Sequence, residues 1–289
     1  MKIIPLMENN LCGEGIVAEH GLSLYIETEK HRIIADTGQS ARTWDNAMKR
    51  GVDLETVDIV FLSHGHYDHS GGIMSFADIN SSASIFMKDT AGDEYYTVKE
   101  TGMKYIGIDK SVMHLPGIRL LEGDFRLDSE ISVFSGVKGR RLWPKGNLKL
   151  RVMRKAAQNN NIERHGSGEE KSYVSARNIF VQDQLLHEQY LVIETNGKYV
   201  LVSGCAHAGI LNILDRFREI YDQDPDYVFS GFHMMQDQYT KNELNDIRET
   251  ARELSGMDTV FYTGHCTGET AFRVMKEIMG EQIRGIWEI

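Results

Sequence analysis

Ser63-His64-Gly65-His66-Tyr67-Asp68-His69-Ser70-Gly71-Gly72 is the stretch on which the reading of this 289-residue chain turns. Three histidines and an aspartate fall within its six positions 64–69. They follow Val57–Leu62, an apolar, β-branched run that predicts a buried strand. Glycines 65, 71 and 72 predict a loop that leaves the strand sharply and then enters a helix. The imidazoles and the carboxylate are thereby expected at a strand's C-terminal end, where open α/β sheets carry their sites. Neutral imidazole suits zinc and related divalent ions, and a carboxylate suits a harder or a second ion. His64 and His66 alternate along an extended segment and can point the same way. Asp68 and His69 are adjacent and more naturally face a second centre. A polar surface loop is the bland alternative, and three histidines so close together argue against it.

Composition narrows the class. The chain is long enough for one large domain or two small ones, and 41% apolar residues suffice for a packed core. A net charge of −10 argues against a general nucleic-acid binder or a membrane-surface protein. No apolar run reaches the length of a membrane span. Met1–Leu6 is too short and too soon polar for a signal peptide. Three cysteines without framework spacing fit a reducing compartment, so a cytoplasmic location is expected. Four prolines give no Pro-rich linker.

Outward from the central loop, strands are expected at Lys2–Met7 and, as a hairpin, at Gly21–Glu27 and His31–Asp36. The second arm ends in Asp36-Thr37-Gly38, a carboxylate at a strand end that also suits an ordinary Asx turn. Thr43–Arg50 reads as a helix closed by Gly51. Ile73–Asp78 suggests a short helix and Ala83–Lys88 a strand. Between Asp89 and Asn178 periodicity fades, leaving short β-like pieces such as Ile118–Leu121 and Ile131–Phe134. Lys138, Arg140, Arg141, Lys145, Lys149, Arg151, Arg154 and Lys155 crowd one part of it without an acidic residue. Asn159–Asn161 and Gly166–Glu170 have the composition of mobile segments. Residues 90–177 are therefore expected to form an insertion or lid over the site, whose basic stretch could steer an anionic substrate. Order returns at Tyr190–Glu194 and Tyr199–Ser203, joined by an Asn196-Gly197 hairpin turn. Helices are expected at Ile210–Tyr221, Lys241–Leu254 and Thr270–Met279, and strands at Asp226–Gly231, Asp258–Tyr262 and Gln282–Ile289. Cys205/His207, His233 and His265 each follow a strand, so they are expected to converge with Asp36 and the 64–69 cluster on one rim.

The order D-T-G, then S-H-x-H-x-D-H after a strand, resembles the metallo-β-lactamase superfamily. The resemblance implies an α/β, four-layer αββα sandwich, here as a single domain over 1–289 with the inserted lid. It implies metal ligation by His64, His66, Asp68 and His69, with His265 of Tyr262-Thr263-Gly264-His265 as the last metal histidine. It also implies that Asp36 supports the metal loop by hydrogen bonding rather than by ligating. Where typical members carry S/T-G-D with a bridging aspartate, this chain has Ser203-Gly204-Cys205. Cys205 is left open, as a small buried residue or as a weak ligand. His207 is taken to supply the histidine that the pattern otherwise expects before this hairpin, since neither His165 nor His187 lies in a convincing motif. His233 could donate a proton, bind substrate or be structural, and Tyr67 could touch substrate. Cys12 and Cys266 carry no signal, and His20, His31 and His114 read as surface residues.

Ser203–Leu214, Gly231–Met234 and Tyr262–Gly268 look like one branch of that superfamily. The branch includes dihydropterin–ribofuranosylaminobenzene 5′-phosphate synthases and many hydrolase-like proteins, and the likeness covers roughly 1–90 and 178–289. The leading expectation is a metal-dependent hydrolase that turns a metal-activated water on an anionic ester or phosphoester. In it Asp68 orients the nucleophile and accepts its proton, and His233 acts as acid. The alternatives are a transferase in methanopterin-type cofactor synthesis and a non-catalytic, metal-dependent ligand-binding protein. One or two divalent ions are expected, zinc first, then manganese, magnesium or iron. The expected partner is a small anionic substrate, with no nucleic acid or membrane, and the sequence leaves the oligomeric state open.

Overall fold

Two apolar sheets lie face to face, because almost every central strand is hydrophobic on both sides. The structure is a computed structural model that describes residues 1–155, 173–175 and 178–289. His165 and the segments 159–161 and 166–170 lie outside the described residues. One sheet has the order Lys2–Met7, Ser23–Glu27, Arg32–Ala35, Ile59–Phe61, Ser84–Lys88, Ile118–Leu121. Its first three strands pair antiparallel and the rest parallel. The other has the order Ile283–Gly285, Val260–Thr263, Tyr227–Ser230, Lys198–Val202, Gln189–Thr195, Ile131–Ser135, Phe125–Arg126.

The alternation of side chains along each strand builds the layers. Ile33, Ile59 and Phe61 of the first sheet meet Leu191, Ile193, Val200 and Val202 of the second in the central core. The intervening Ile34 and Val60 face outward and pack beneath Trp44, Ala47, Ile73 and Phe76 of the helices Arg42–Lys49 and Ile73–Ile79. On the far side Val192, Leu201 and Val228 pack beneath the helices Ile210–Tyr221, Lys241–Ser255 and Glu269–Met279. Each such side chain contributes about 1.5–3 kcal/mol by leaving water. The layers are αββα, as the resemblance implies. The helix Lys241–Ser255 starts on a capping box, in which Thr240 and Glu243 each satisfy the other's backbone N–H.

Three pieces of the 90–177 stretch, Ile118–Leu121, Phe125–Arg126 and Ile131–Ser135, pair into the main sheets. Much of the remainder forms a third sheet, in the order 173–175, Asn178–Gln182, Leu150–Lys155, Tyr95–Lys99, Gly102–Tyr105. The predicted terminal strand Gln282–Ile289 is shorter than expected. Only Ile283–Gly285 pairs, and the chain then turns through a short 3₁₀ segment, Ile286–Glu288.

Candidate metal centre

Five of the parallel strands, Arg32–Ala35, Ile59–Phe61, Lys198–Val202, Tyr227–Ser230 and Val260–Thr263, lead into Asp36, the 64–69 loop, Cys205 and His207, His233 and His265. After Ile59–Phe61 the chain bends at His64 and Gly65 and then makes a single helical turn, Tyr67–Ser70. Gly65 passes so close to the Ala91 carbonyl that a Cβ would collide with it. Four residues at these ends adopt left-handed backbone without being glycine: Asp36 (φ 58°), Ala206 (50°), His233 (49°) and His265 (46°). Such a conformation costs roughly 1–2 kcal/mol for a residue with a Cβ, so packing must hold it in place.

The ligating atoms fall into two groups. In the first, His64 Nε2 faces His207 Nε2 at 3.3 Å, and the His66 ring stands 4.6 Å from the His64 ring and 4.9 Å from the His207 ring. In the second, His69 Nε2 lies 3.2 Å from His265 Nε2, and Asp68 Oδ2 lies 3.3 Å from His265 Nε2. Cys205 Sγ sits between the groups: it is 3.1 Å from His69 Nε2 and within 4.8 Å of the ligating atoms of Asp68, His69 and His265 on one side and of His64 and His207 on the other. The structure thus brings together all six histidine and aspartate positions singled out from the sequence, with Cys205 at their junction.

Each inward Nε2 is fixed by what the opposite ring nitrogen does. His69 Nδ1–H donates to Asp36 at 2.6 Å, His64 Nδ1–H to Ser63 Oγ at 2.9 Å, His207 Nδ1–H to Asn147 Oδ1 at 2.9 Å and His265 Nδ1–H to Asn9 Oδ1 at 2.8 Å. Asp36 also accepts from Ser63 N and Ser63 Oγ, both at 2.7 Å, so one carboxylate sets two rings. Buried Glu188 accepts the amides of His207 and Ala208, and Glu8 accepts those of His265 and Asn10. With Nδ1 of each ring engaged outward, the rings turn their Nε2 atoms toward one another. A cation between them satisfies that arrangement, as it does the buried His66 Nε2, which has no hydrogen-bond partner among the described residues. The donor set therefore fits one or two divalent ions.

Electrostatics separate the two groups: burial opposes charge on His69, but Asp36 and Asp68 outweigh it and raise that ring above the usual histidine range. Burial, reinforced by neighbouring imidazoles, holds His64 and His207 far below the usual histidine range, and burial and His187 hold His66 at about 3. These rings are neutral and their lone pairs free. Burial opposes charge on Asp68, but His69, His20 and His265 outweigh it and keep the carboxylate ionised. Burial, with Cys266 alongside, pushes the Cys205 thiol up. A coordinated cation reverses that balance, since a ligating thiol is deprotonated.

His233 lies beside the group rather than in it, its ring 4.1 Å from that of His207. His187 is fully engaged: Nδ1 accepts from Gly65 N at 2.9 Å and Nε2–H donates to Asp183 at 3.0 Å, so it shapes the loop. His20 is no mere surface residue. Its Nε2 stands 3.3 Å from Asp68 Oδ2 and it lines the cavity, because Asn9 ties the 9–21 loop to His265. His31 is partly buried between Asp58 and Asp128, whereas His114 is exposed. Sequence reasoning passed over Asn9, Asn147, Glu8 and Glu188, whose residue types carry no spacing signal. The site opens into a cavity of about 240 Å³, with His66, Asp68, Cys205 and His207 in its wall. Tyr67, His233, Lys99, Lys104 and Lys149 also line it.

Residues 17–130 match the family model of the metallo-β-lactamase superfamily. An uncharacterised protein of Methanocaldococcus jannaschii is 25% identical over 96% of this chain and 94% of its own length. The 7,8-dihydropterin-6-methyl-4-(β-D-ribofuranosyl)-aminobenzene-5′-phosphate synthase of the same organism is 28% identical, over 90% of this chain and 85% of its own. The crystal structure of Tm1679, described as a metal-dependent hydrolase of the β-lactamase superfamily, superposes with a TM-score of 0.73 at 26% identity. That superposition covers 98% of this chain and 94% of the other.

Proposed function

Because residues 17–130 match the metallo-β-lactamase superfamily model, we propose that the protein is a metal-dependent hydrolase acting on a small anionic ester or phosphoester. One observation carries the reading: the two ligand groups meet at a cavity that three lysines also line. Lys99, Lys104 and Lys149 have no carboxylate within ion-pair distance among the described residues. An anionic substrate would complete them while its reacting bond lies over the ligand groups.

His64, His66 and His207 would hold one ion, Asp68, His69 and His265 the other, with Cys205 as a donor common to both. A sulfur and nitrogen-rich set of this kind favours zinc. When bound, the ions supply Lewis acidity and a water acidified toward neutrality. Asp68 Oδ2, anchored by His20 Nε2–H, orients the attacking water and takes up its proton. His233, whose ring stands 4.1 Å from that of His207, would protonate the leaving group. The lysines hold the substrate's charge without taking part in bond breaking.

The test is turnover by the zinc-loaded protein on a panel of esters, phosphoesters, lactones and amides. Hydrolysis of anionic members is expected, with K99A/K104A/K149A raising KM about tenfold or more and leaving kcat nearly intact. Inertness across the panel overturns the hydrolase reading. The likeness to the dihydropterin synthase favours a second reading, a transferase that uses the same centre in methanopterin-type cofactor synthesis. Pyrophosphate release from phosphoribosyl diphosphate that requires an aminobenzoate acceptor would select it. Tight ligand binding without any product would instead indicate a metal-dependent binding protein.

A further inference from the structure

Hydrolysis as described leaves one thiol of the cavity wall without a task. Cys266 follows the strand Val260–Thr263, and Cys205 follows Lys198–Val202, with Tyr227–Ser230 between them in the sheet. Both thiols are free, 5% and 2% exposed, yet both line the cavity and so are reached through it by a small solute. Their sulfurs and a ring nitrogen of His233 all lie within 4.8 Å of one another. The backbone holds the pair in register: Cys266 Sγ–H donates to the Cys205 carbonyl at 3.6 Å, and the His233 amide donates to Cys266 Sγ at 3.2 Å. Behind Cys266, a Cβ at Gly231 would come within 2.5 Å of its sulfur. Glycine there makes room for the sulfur beside the Cys205 loop.

We propose that Cys205 and Cys266 are a dithiol oxidised by hydrogen peroxide to a reversible disulfide, and that this bond competes with the metal for the Cys205 sulfur. In the first step one sulfur attacks a peroxide oxygen, the O–O bond breaks, and a sulfenic acid and one water form. In the second the other sulfur attacks the sulfenic sulfur, the S–O bond breaks, and a second water leaves as the S–S bond closes. Two thiols lose two electrons and two protons in all, and one peroxide becomes two waters. Closure shortens a gap of at most 4.8 Å to about 2 Å. It draws Cys205 Sγ from its place 3.1 Å from His69 Nε2, so both ligand groups lose their common donor while the histidines stay. By linkage, an occupied site must disfavour the disulfide at equilibrium by the same factor that the disulfide weakens metal binding. The competition rests on the reading of Cys205 as a metal donor; the disulfide itself does not.

The test treats metal-free and zinc-loaded full-length protein with hydrogen peroxide, followed by digestion under non-reducing conditions and mass spectrometry. The expected product is a Cys205–Cys266 peptide pair lighter by two hydrogens and reversed by dithiothreitol, with Cys12 still open to alkylation. Zinc is expected to slow its formation on the order of tenfold or more, because a sulfur held by the ion is withheld from peroxide, and the oxidised protein to bind zinc on the order of tenfold or more weakly. In Cys266→Ser, Cys205 is expected to stop at a sulfenic acid trapped by dimedone. Cys205 and Cys266 oxidised singly to sulfinic acids, or left unmodified, overturn the proposal. Cross-linking at equal rates with and without zinc overturns the competition. Assaying the same zinc-loaded sample on the substrate panel separates either failure from failure of the hydrolase reading.

Discussion

Asn147→Leu tests how the third sheet's neighbourhood governs the metal centre. Asn147 sits in the short 3₁₀ turn Lys145–Lys149 and is fully buried. It accepts from His207 Nδ1–H at 2.9 Å and donates to the His207 carbonyl at 2.7 Å. Leucine removes both bonds at a place water cannot reach. Two stranded polar groups cost about 1–3 kcal/mol each, so the metal-free fold should lose about 2–6 kcal/mol. The His207 ring also loses the partner that fixes its tautomer, and partners of this kind are typically worth 10–100-fold in metal affinity. That factor is about 1.4–2.7 kcal/mol, and zinc-induced stabilisation should shrink by the same amount under saturating metal. Asn147→Asp keeps the acceptor and drops the donor, so it should lose stability yet keep most of the zinc affinity. Competition with a chromophoric chelator gives the affinity, and urea unfolding with and without zinc gives the stability. A leucine variant that unfolds more easily but binds zinc as tightly as the parent would refute the claim that Asn147 orients a ligand.

Cys205→Asp replaces a soft donor with a hard one, so competition titrations should move the preference from zinc and cadmium toward manganese; an unchanged order would remove Cys205 from the ligand set. Glu188→Gln leaves the amides of His207 and Ala208 and the Tyr190 hydroxyl facing an amide instead of a carboxylate. It should cost roughly 1.5–3 kcal/mol in unfolding free energy, and a neutral result would mean the loop is held by packing alone. His31 offers a pH test away from the metal centre. Burial disfavours its charge, but Asp58 and Asp128 outweigh this and raise it above its ordinary 6.5. Its contribution is therefore complete below that value and fades as pH rises through the raised one. The melting-temperature gap to His31→Gln should be wide near about pH 5.5 and close toward about pH 8.5.

What could be read in advance depended on how locally each part is encoded. The central loop is legible because four of its candidate ligands lie within six residues. His207 and His265 are legible because each follows an apolar strand and a glycine. Asn147 and Glu188 act by accepting hydrogen bonds from a partner 60 or about 20 residues away, and nothing in their own neighbourhood marks that. His20 was misread for the same reason: an isolated histidine in a polar loop becomes part of the site only when Asn9 folds that loop onto His265. The third sheet escaped notice because Tyr95–Lys99 and Gly102–Tyr105 are mostly half-buried or exposed. They lack the two-residue apolar rhythm by which the sandwich strands announce themselves.

The spacing of the facing imidazoles along the chain has a bearing on assembly. His64 meets a partner 143 residues downstream, and His69 one 196 residues downstream. A bond between either pair closes a loop that, in an unfolded chain, carries about 4–5 kcal/mol of closure entropy. An ion gripped from both sides is thus a removable cross-link between the early and late halves of the polypeptide. Nascent chains would have to wait for their last strands before it could form, and chelators would cut it without breaking a covalent bond.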